Sequence, residues 1–309
     1  MQSYEFDVNQ LRGLPIGNKN IKTIYEKKGG WDSRFFILND EIVVKVPRDI
    51  NAQRSIKKEK IVTDLLRTEL PLPVPEMTLA EIDSIDGGKL EIVFYEMLPG
   101  IELQNTHMID DRDHTIAKSL GLFLKQLHNI PEEMVQTITS RISGIQNERN
   151  ESDSELLESV LEYFREMKDE KNVSSYIEIM EKSLSQLKDM DWKIVPSHGD
   201  FMSNNIIYNE GRDKISGIID WGDFSFRDPT YDFAGLAYEF GEQFLDYMLT
   251  AYSFHVPGYF KYNIMNLSKF VPFNTVYFSR DMERRVRFEN KYIELELAES
   301  GRNLILHVG

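Results

Sequence analysis

The residues His198-Gly199-Asp200-Phe201-Met202-Ser203-Asn204-Asn205, followed after fourteen intervening residues by Asp220-Trp221-Gly222-Asp223, decide how this chain is read. Between them lie two short β-branched runs, Ile206-Ile207-Tyr208 and Ile215-Ser216-Gly217-Ile218-Ile219, separated by the polar turn Asn209-Glu210-Gly211-Arg212. That pattern predicts a hairpin. Helical sequence on both sides predicts that the hairpin is buried among helices. Glycine, aspartate, asparagine and serine populate turns for conformational reasons alone, so a turn role suffices for any single one of them. The ordered set asks for more.

What the set offers is oxygen ligands in a definite order. One loop carries a carboxylate, Asp200, and a side-chain amide, Asn205; a second carboxylate, Asp220, ends the next strand. Phosphoryl transfer needs little covalent help from a protein. It needs an aligned nucleophile, metal ions bridging the phosphates, and positive charge near the developing negative charge. A carboxylate for the acceptor hydroxyl and two oxygen ligands for metal meet the first two needs. Mg²⁺ prefers hard oxygens and takes few from the protein, because phosphates and water complete its shell. His198 is placed to anchor the loop by hydrogen bonding rather than to catalyse.

The third need points upstream. In Ile42-Val43-Val44-Lys45-Val46, residues 42, 44 and 46 share one strand face, with Val43 and Lys45 on the other. A lysine in an apolar strand is costly without an anionic partner. A helix from about Gln53 to Leu66 supplies Glu59, which shares an inward stripe with Ile56 and Val62. Two readings of this pair stand: a strand lysine clamped by a helix glutamate, as kinases hold phosphates, or a snorkelling lysine beside a surface glutamate. The downstream loop favours the clamp. Gly29-Gly30-Trp31-Asp32-Ser33 is either a phosphate-covering turn or a plain hairpin turn.

Further strands are predicted at Leu90-Glu91-Ile92-Val93-Phe94-Tyr95, after the turn Asp86-Gly87-Gly88, and the prolines of Leu70–Pro75 predict an extended segment. After Pro99-Gly100 the period becomes helical: Ile116, Leu120, Phe123, Leu124 and Leu127 form one stripe, Glu155 to Leu187 reads as two helices broken near Asn172, and helices resume from Thr230 with a break at Pro257-Gly258. The expected class is α+β: a small antiparallel sheet with one helix over residues 1–98, then a larger, mainly helical lobe over residues 99–309. A length of 309 residues suits two lobes. The absence of cysteine excludes disulfides and thiolate chemistry. No basic-then-apolar leader opens the sequence and no apolar run is long enough to cross a bilayer, so a soluble, cytoplasmic protein is expected. A net charge of −15 disfavours nucleic acid and membrane surfaces as partners; it suits a polycationic ligand, and equally suits plain solubility.

Lys45, Glu59, His198-Gly199-Asp200…Asn205 and Asp220-Trp221-Gly222, in that order, resemble the aminoglycoside phosphotransferase and choline-kinase superfamily, which has a protein-kinase-like two-lobe fold. Gly217–Asp223 followed by Asp228-Pro229-Thr230-Tyr231-Asp232-Phe233 looks most like the aminoglycoside 2″-phosphotransferases, enzymes of antibiotic resistance. The resemblance implies that Asp200 is the catalytic base, that Asn205 and Asp220 hold Mg²⁺, and that Lys45, backed by Glu59, holds the phosphates of GTP or ATP. It implies that Ser33 caps those phosphates, that Glu96 and Met97 offer hinge groups to the purine, and that Tyr95, or Phe94 if the register slips by one, is a bulky gatekeeper favouring GTP. It makes Asn204, Asp223, Glu239 and Glu242 the lining of a cleft for a cationic aminoglycoside; a solvated helix face is the other reading of Glu239 and Glu242. A monomer or weak dimer is expected. Trp221 stands where the branch usually has Phe, and Tyr238-Glu239-Phe240-Gly241 carries fewer carboxylates than the branch commonly shows. The alternatives are a kinase of the same fold acting on choline, homoserine, methylthioribose or a macrolide, and a nucleotide-binding regulatory module without turnover.

Overall fold

The structure is a computed structural model that describes residues 4–17, 19–27, 32–106, 113–145, 153–168, 173–188, 193–252 and 256–279. In chain order it begins with β1 (Ile24–Lys27), β2 (Ser33–Leu38), β3 (Ile42–Pro47), α1 (Ile50–Leu66), β4 (Thr78–Asp83), β5 (Lys89–Glu96) and β6 (Ile101–Glu102). Then come α2 (Asp113–Leu127), α3 (Glu132–Ile142), α4 (Asp153–Glu166), α5 (Val173–Gln186), β7 (Val195–Ser197), β8 (Ile206–Asn209) and β9 (Lys214–Ile218). The last elements are β10 (Ser225–Arg227), α6 (Tyr231–Tyr252), α7 (Phe260–Leu267) and α8 (Val271–Ser279). The chain divides into two compact units. Met1–Thr106, Ile130–Arg149 and Asn204–Phe224 form the first; His107–Asn129, Asn150–Ser203 and Ser225–Gly309 form the second.

The first unit is built on an antiparallel sheet of order β1-β2-β3-β5-β4. Its centre, β3, is apolar on both faces. Ile42, Val44 and Val46 pack with Phe36, Leu38 and Ile92 on one side, while Val43 joins Ile37, Val93, Tyr95 and, from α1, Ile56 on the other. Lys45 alternates onto the α1 face. The side chain of Asp49 accepts the Asn51 and Ala52 backbone N–H groups, both at 2.9 Å. That N-cap starts the helix at Ile50, three residues earlier than its apolar stripe suggests. Ile56, Val62 and Leu66 are fully buried, each side chain contributing about 1.5–3 kcal/mol relative to exposure.

The predicted hairpin is present as β8 and β9, paired Ile206↔Ile218. Its surroundings differ from expectation. β6 adds a third strand through Ile101↔Tyr208, and the Ile218 N–H donates to the Pro73 carbonyl at 2.9 Å. The proline-rich segment, unable to be helical, thus supplies a partner where a sheet edge would otherwise be bare. Among the elements not expected are β4 and α3. β4 is an edge strand exposing most of Thr-Leu-Ala-Glu-Ile-Asp, and α3 is rich in β-branched residues that weaken a helical signal.

In the second unit α2 buries the predicted stripe, with Leu120, Phe123, Leu124 and Leu127 inaccessible, and packs on α6. α4 and α5 are the two expected helices; Asn172, the predicted break, lies outside the described residues. They share a core with Leu267, Phe270 and Phe273, where the rings of Phe164 and Phe273 meet edge-on at 5.3 Å. β7 and β10 form a small antiparallel ladder. α6 is broken at Gly241, whose φ of 79° and ψ of −175° lie in a region open essentially to glycine alone. Among the described residues no helix is long and apolar enough to cross a membrane.

Candidate active site

In the first unit, Lys45 is buried and donates to Glu59 Oε2 at 2.5 Å and to Asp220 Oδ1 at 2.6 Å. Burial opposes the ammonium charge, but the two carboxylates outweigh it and hold Lys45 above the ordinary lysine value. For Glu59 burial dominates, the Asp220 charge adds to it, and the carboxyl is pushed up despite Lys45. Two carboxylates share one ammonium. Glu59 is enclosed, whereas the side chain of Asp220 keeps 40% of its surface exposed.

α1 holds the Asp220 segment at several points. The Trp221 N–H donates to Glu59 Oε1 at 3.1 Å. Ser55 Oγ donates to the Gly222 carbonyl at 3.1 Å and Lys58 Nζ to that of Phe224 at 3.0 Å. Trp221, the departure from the usual Phe, is fully buried and uses its indole N–H on the Ile218 carbonyl at 3.1 Å. Asp220 itself is left-handed, with φ and ψ both 64°. Such a conformation in a residue with a side chain costs on the order of 1–3 kcal/mol and clusters at functional sites.

The hairpin brings the two expected metal residues to one end. Asn205 immediately precedes β8 and Asp220 follows β9 by two residues, and the Ile219 N–H donates to the Asn205 carbonyl at 2.9 Å. Asn205 is buried, and Asn204 donates to its side-chain oxygen at 3.2 Å. One carboxylate and one amide oxygen fit a small hard cation that draws its other ligands from phosphate and water. No cluster of three or more His, Cys, Asp or Glu residues forms a protein cage among the described residues.

The loop bearing Asp200 belongs to the second unit, where a buried carboxylate gathers its backbone. Asp232 accepts Ser197 Oγ at 2.7 Å, the His198 N–H at 3.0 Å and the Gly199 N–H at 3.1 Å. His128 Nε2 lies 3.0 Å from the same carboxylate, and its Nδ1 is 2.9 Å from the Tyr252 hydroxyl. Burial alone would raise the Asp232 pKa, but the His128 hydrogen bond and the surrounding donors hold it down at about 2. The Asp200 N–H in turn donates to His198 Nδ1 at 3.3 Å. Phe201 stacks on Phe123 at 5.6 Å. Gly235 lets α6 approach: a Cβ there would meet the Phe201 carbonyl oxygen at 2.9 Å.

The remaining predicted residues are distributed as follows. Gly29, Gly30 and Trp31 lie outside the described residues; Ser33 is buried at the start of β2, opposite Pro47. Tyr95 shares the Lys45 face of the sheet with Val43 and Val93, whereas Phe94 packs in the opposite core. Burial and the Glu59 charge raise the Tyr95 phenol. Glu96 and Met97 are exposed, and the Met97 N–H donates to the Glu41 carbonyl at 2.7 Å. Asp223 is exposed. Glu239 accepts the Ser203 N–H at 2.9 Å and hydroxyl at 2.8 Å, and Glu242 is paired with Lys261 at 2.8 Å. The sequence reading missed Asp232 and His128 as loop anchors. The available signal was an aspartate inside Tyr231-Asp232-Phe233-Ala234-Gly235-Leu236-Ala237, a placement that burial penalises unless partners are provided.

Residues 26–263 match the phosphotransferase enzyme family, which covers most of the chain, and the chain belongs to that family. It is a small-molecule phosphotransferase of α+β, protein-kinase-like fold. Its fold is similar to the GDP complex of wild-type aminoglycoside 2′-phosphotransferase-IIIa, with a TM-score of 0.70 at 20% identity over 88% of this chain and 92% of that one. It is also similar to ADP-bound aminoglycoside phosphotransferase APH(2″)-Ib, with a TM-score of 0.60 at 25% identity, covering 94% and 97% of the two chains. The apoenzyme of the macrolide 2′-phosphotransferase MphH from Brachybacterium faecium gives a TM-score of 0.63 at 17% identity over 88% and 93%.

Proposed function

We propose that the protein transfers the γ-phosphoryl group of GTP or ATP to a hydroxyl of an aminoglycoside, in a Mg²⁺-dependent reaction. The observation that carries this reading is the buried Lys45 shared between Glu59 and Asp220. A desolvated ammonium with fixed partners is how this chemistry holds phosphate oxygens. Lys45 draws on the phosphates, Glu59 keeps it in place, and Ser33 borders them. Asn205 and Asp220 would hold Mg²⁺, which when bound would offset the negative charge of the phosphates. Tyr95 narrows the purine end, with Glu96 and Met97 beside it, and the lobe over residues 1–98 is the nucleotide-binding one. Asp200 accepts the proton of the attacking hydroxyl, on a loop that Asp232 keeps in register. Asn204, Asp223 and Glu242 face a cationic acceptor, toward which a net charge of −15 adds long-range attraction. Similarity to both aminoglycoside and macrolide phosphotransferases supports a bulky antibiotic acceptor over a small metabolite.

The test is a coupled assay of nucleoside diphosphate release with Mg²⁺, using ATP and GTP in turn, over kanamycin- and gentamicin-type compounds, macrolides, choline, homoserine and methylthioribose. The expected result is acceptor-dependent release led by cationic aminosugars. Release led by a macrolide or metabolite moves the acceptor; none with any acceptor sinks the proposal.

A further inference from the structure

Two carboxylates of α6 reach the loop that carries Asp200, one toward each end. Asp232 collects the backbone at Ser197–Gly199. Glu239 follows seven residues later, just under two turns of helix and so on the same face. Both of its oxygens are engaged by one residue, Ser203, through the backbone N–H and the hydroxyl. Ser203 is buried, and burial raises the Glu239 pKa even against those two donors. A half-buried carboxylate whose two oxygens already accept loop donors is less available to an incoming ammonium group. Two residues further, Gly241 breaks the helix, so the straight part of α6 spans both contacts and stops there.

We infer that Glu239 is a positioning residue for the catalytic loop, acting through Ser203, and not a ligand of the acceptor's ammonium groups. With Asp232 it braces Asp200 from both sides along the chain. The inference rests on the reading of Asp200 as the acceptor's base, and it changes what a Glu239 variant should do. A substrate-binding carboxylate sets KM, most for the most highly charged acceptor. A brace sets the turnover of every acceptor alike.

The experiment uses the full-length enzyme with Glu239→Gln, Glu239→Ala, Ser203→Ala and the Glu239→Ala/Ser203→Ala double variant. For Glu239→Ala we expect kcat to fall about 10- to 100-fold, the effect of a loop slightly out of register, while KM for acceptor and nucleotide moves less than about twofold. Glu239→Gln, which keeps an acceptor oxygen for Ser203, should recover part of that loss, and the double variant should be no worse than Glu239→Ala. A KM that climbs with the number of ammonium groups at unchanged kcat overturns the inference. A second readout is independent of turnover: amide hydrogen exchange of peptides spanning residues 197–205, without nucleotide or acceptor. Faster exchange in Glu239→Ala supports the brace and unchanged exchange refutes it. Should the wild type turn over no acceptor, the functional proposal fails, and the exchange measurement still decides the role of Glu239.

Discussion

Lys45 and Asp232 are both buried charges with more than one partner, and they are balanced in opposite ways. Around Lys45 there is too much charge of one sign: two carboxylates face one ammonium, and Asp220 keeps part of its surface in solvent. Around Asp232 there is none to spare. Ser197, His198, Gly199 and His128 all direct polar groups at it, and the side chains of Asp232 and His128 are wholly enclosed. A cluster with excess carboxylate open to solvent is suited to exchanging partners, as binding a cation and an anionic phosphate demands. A carboxylate saturated with donors is suited to holding still. One chain therefore contains an ionic site made to change and another made to persist.

Replacing Lys45 should break the contrast most sharply. Lys45→Met leaves Glu59 buried beside Asp220 without a counter-charge, so a loss of about 3–5 kcal/mol in unfolding free energy is expected from urea denaturation. Adding Glu59→Gln should restore most of that stability and none of the turnover, because the phosphate contact stays absent. Recovery of activity in the double variant would refute the clamp.

Asp232→Asn comes next. It keeps the shape but misaligns a donor, and about 2–3 kcal/mol should be lost. The sign with pH is definite. The folded-state pKa of Asp232 is depressed to about 2, below the ordinary aspartate value of about 3.9. Its ionised form therefore stabilises the fold above about pH 4, and that contribution, on the order of 2 kcal/mol, disappears as pH falls toward 2. The gap in stability between wild type and Asp232→Asn should narrow over that interval; a pH-independent gap would show that the carboxylate charge is not what matters.

Glu242 gives the smallest effect. Its partner Lys261, also 2.5 Å from Asp246, is a half-exposed surface cation. Lys261→Ala should alter stability by less than about 0.5 kcal/mol, since such pairs are screened and entropically costly. A thermal melt that drops by more would mean that this pair, unlike other surface pairs, is structural.

The contrast also separates what the sequence made legible from what it hid. Lys45 and Glu59 can be paired from the amino-acid sequence because each breaks a periodic pattern, a charge in a strand face and a charge in a helix stripe. The hairpin 206–218 was legible through β-branching and its turn, and with it the neighbourhood of Asn205 and Asp220. Hidden was everything that rests on backbone donors. Asp232 binds N–H groups that any residue would carry, so residue identity at Ser197–Gly199 could not announce the contact. Glu239 and Ser203, thirty-six residues apart, left no periodic trace. β4 escaped notice because an edge strand need not be apolar, and α3 because its β-branched residues obscure a helical period.

The most direct measurement of the central claim is mass spectrometry of the acceptor itself. Wild-type protein with Mg²⁺, nucleoside triphosphate and an aminoglycoside should add one phosphoryl group to the drug, and Asp200→Ala should lower that rate by about 10²- to 10⁴-fold while nucleotide affinity stays within about twofold. Nucleotide hydrolysis with no mass change in any acceptor, or an Asp200→Ala variant as fast as wild type, would contradict it.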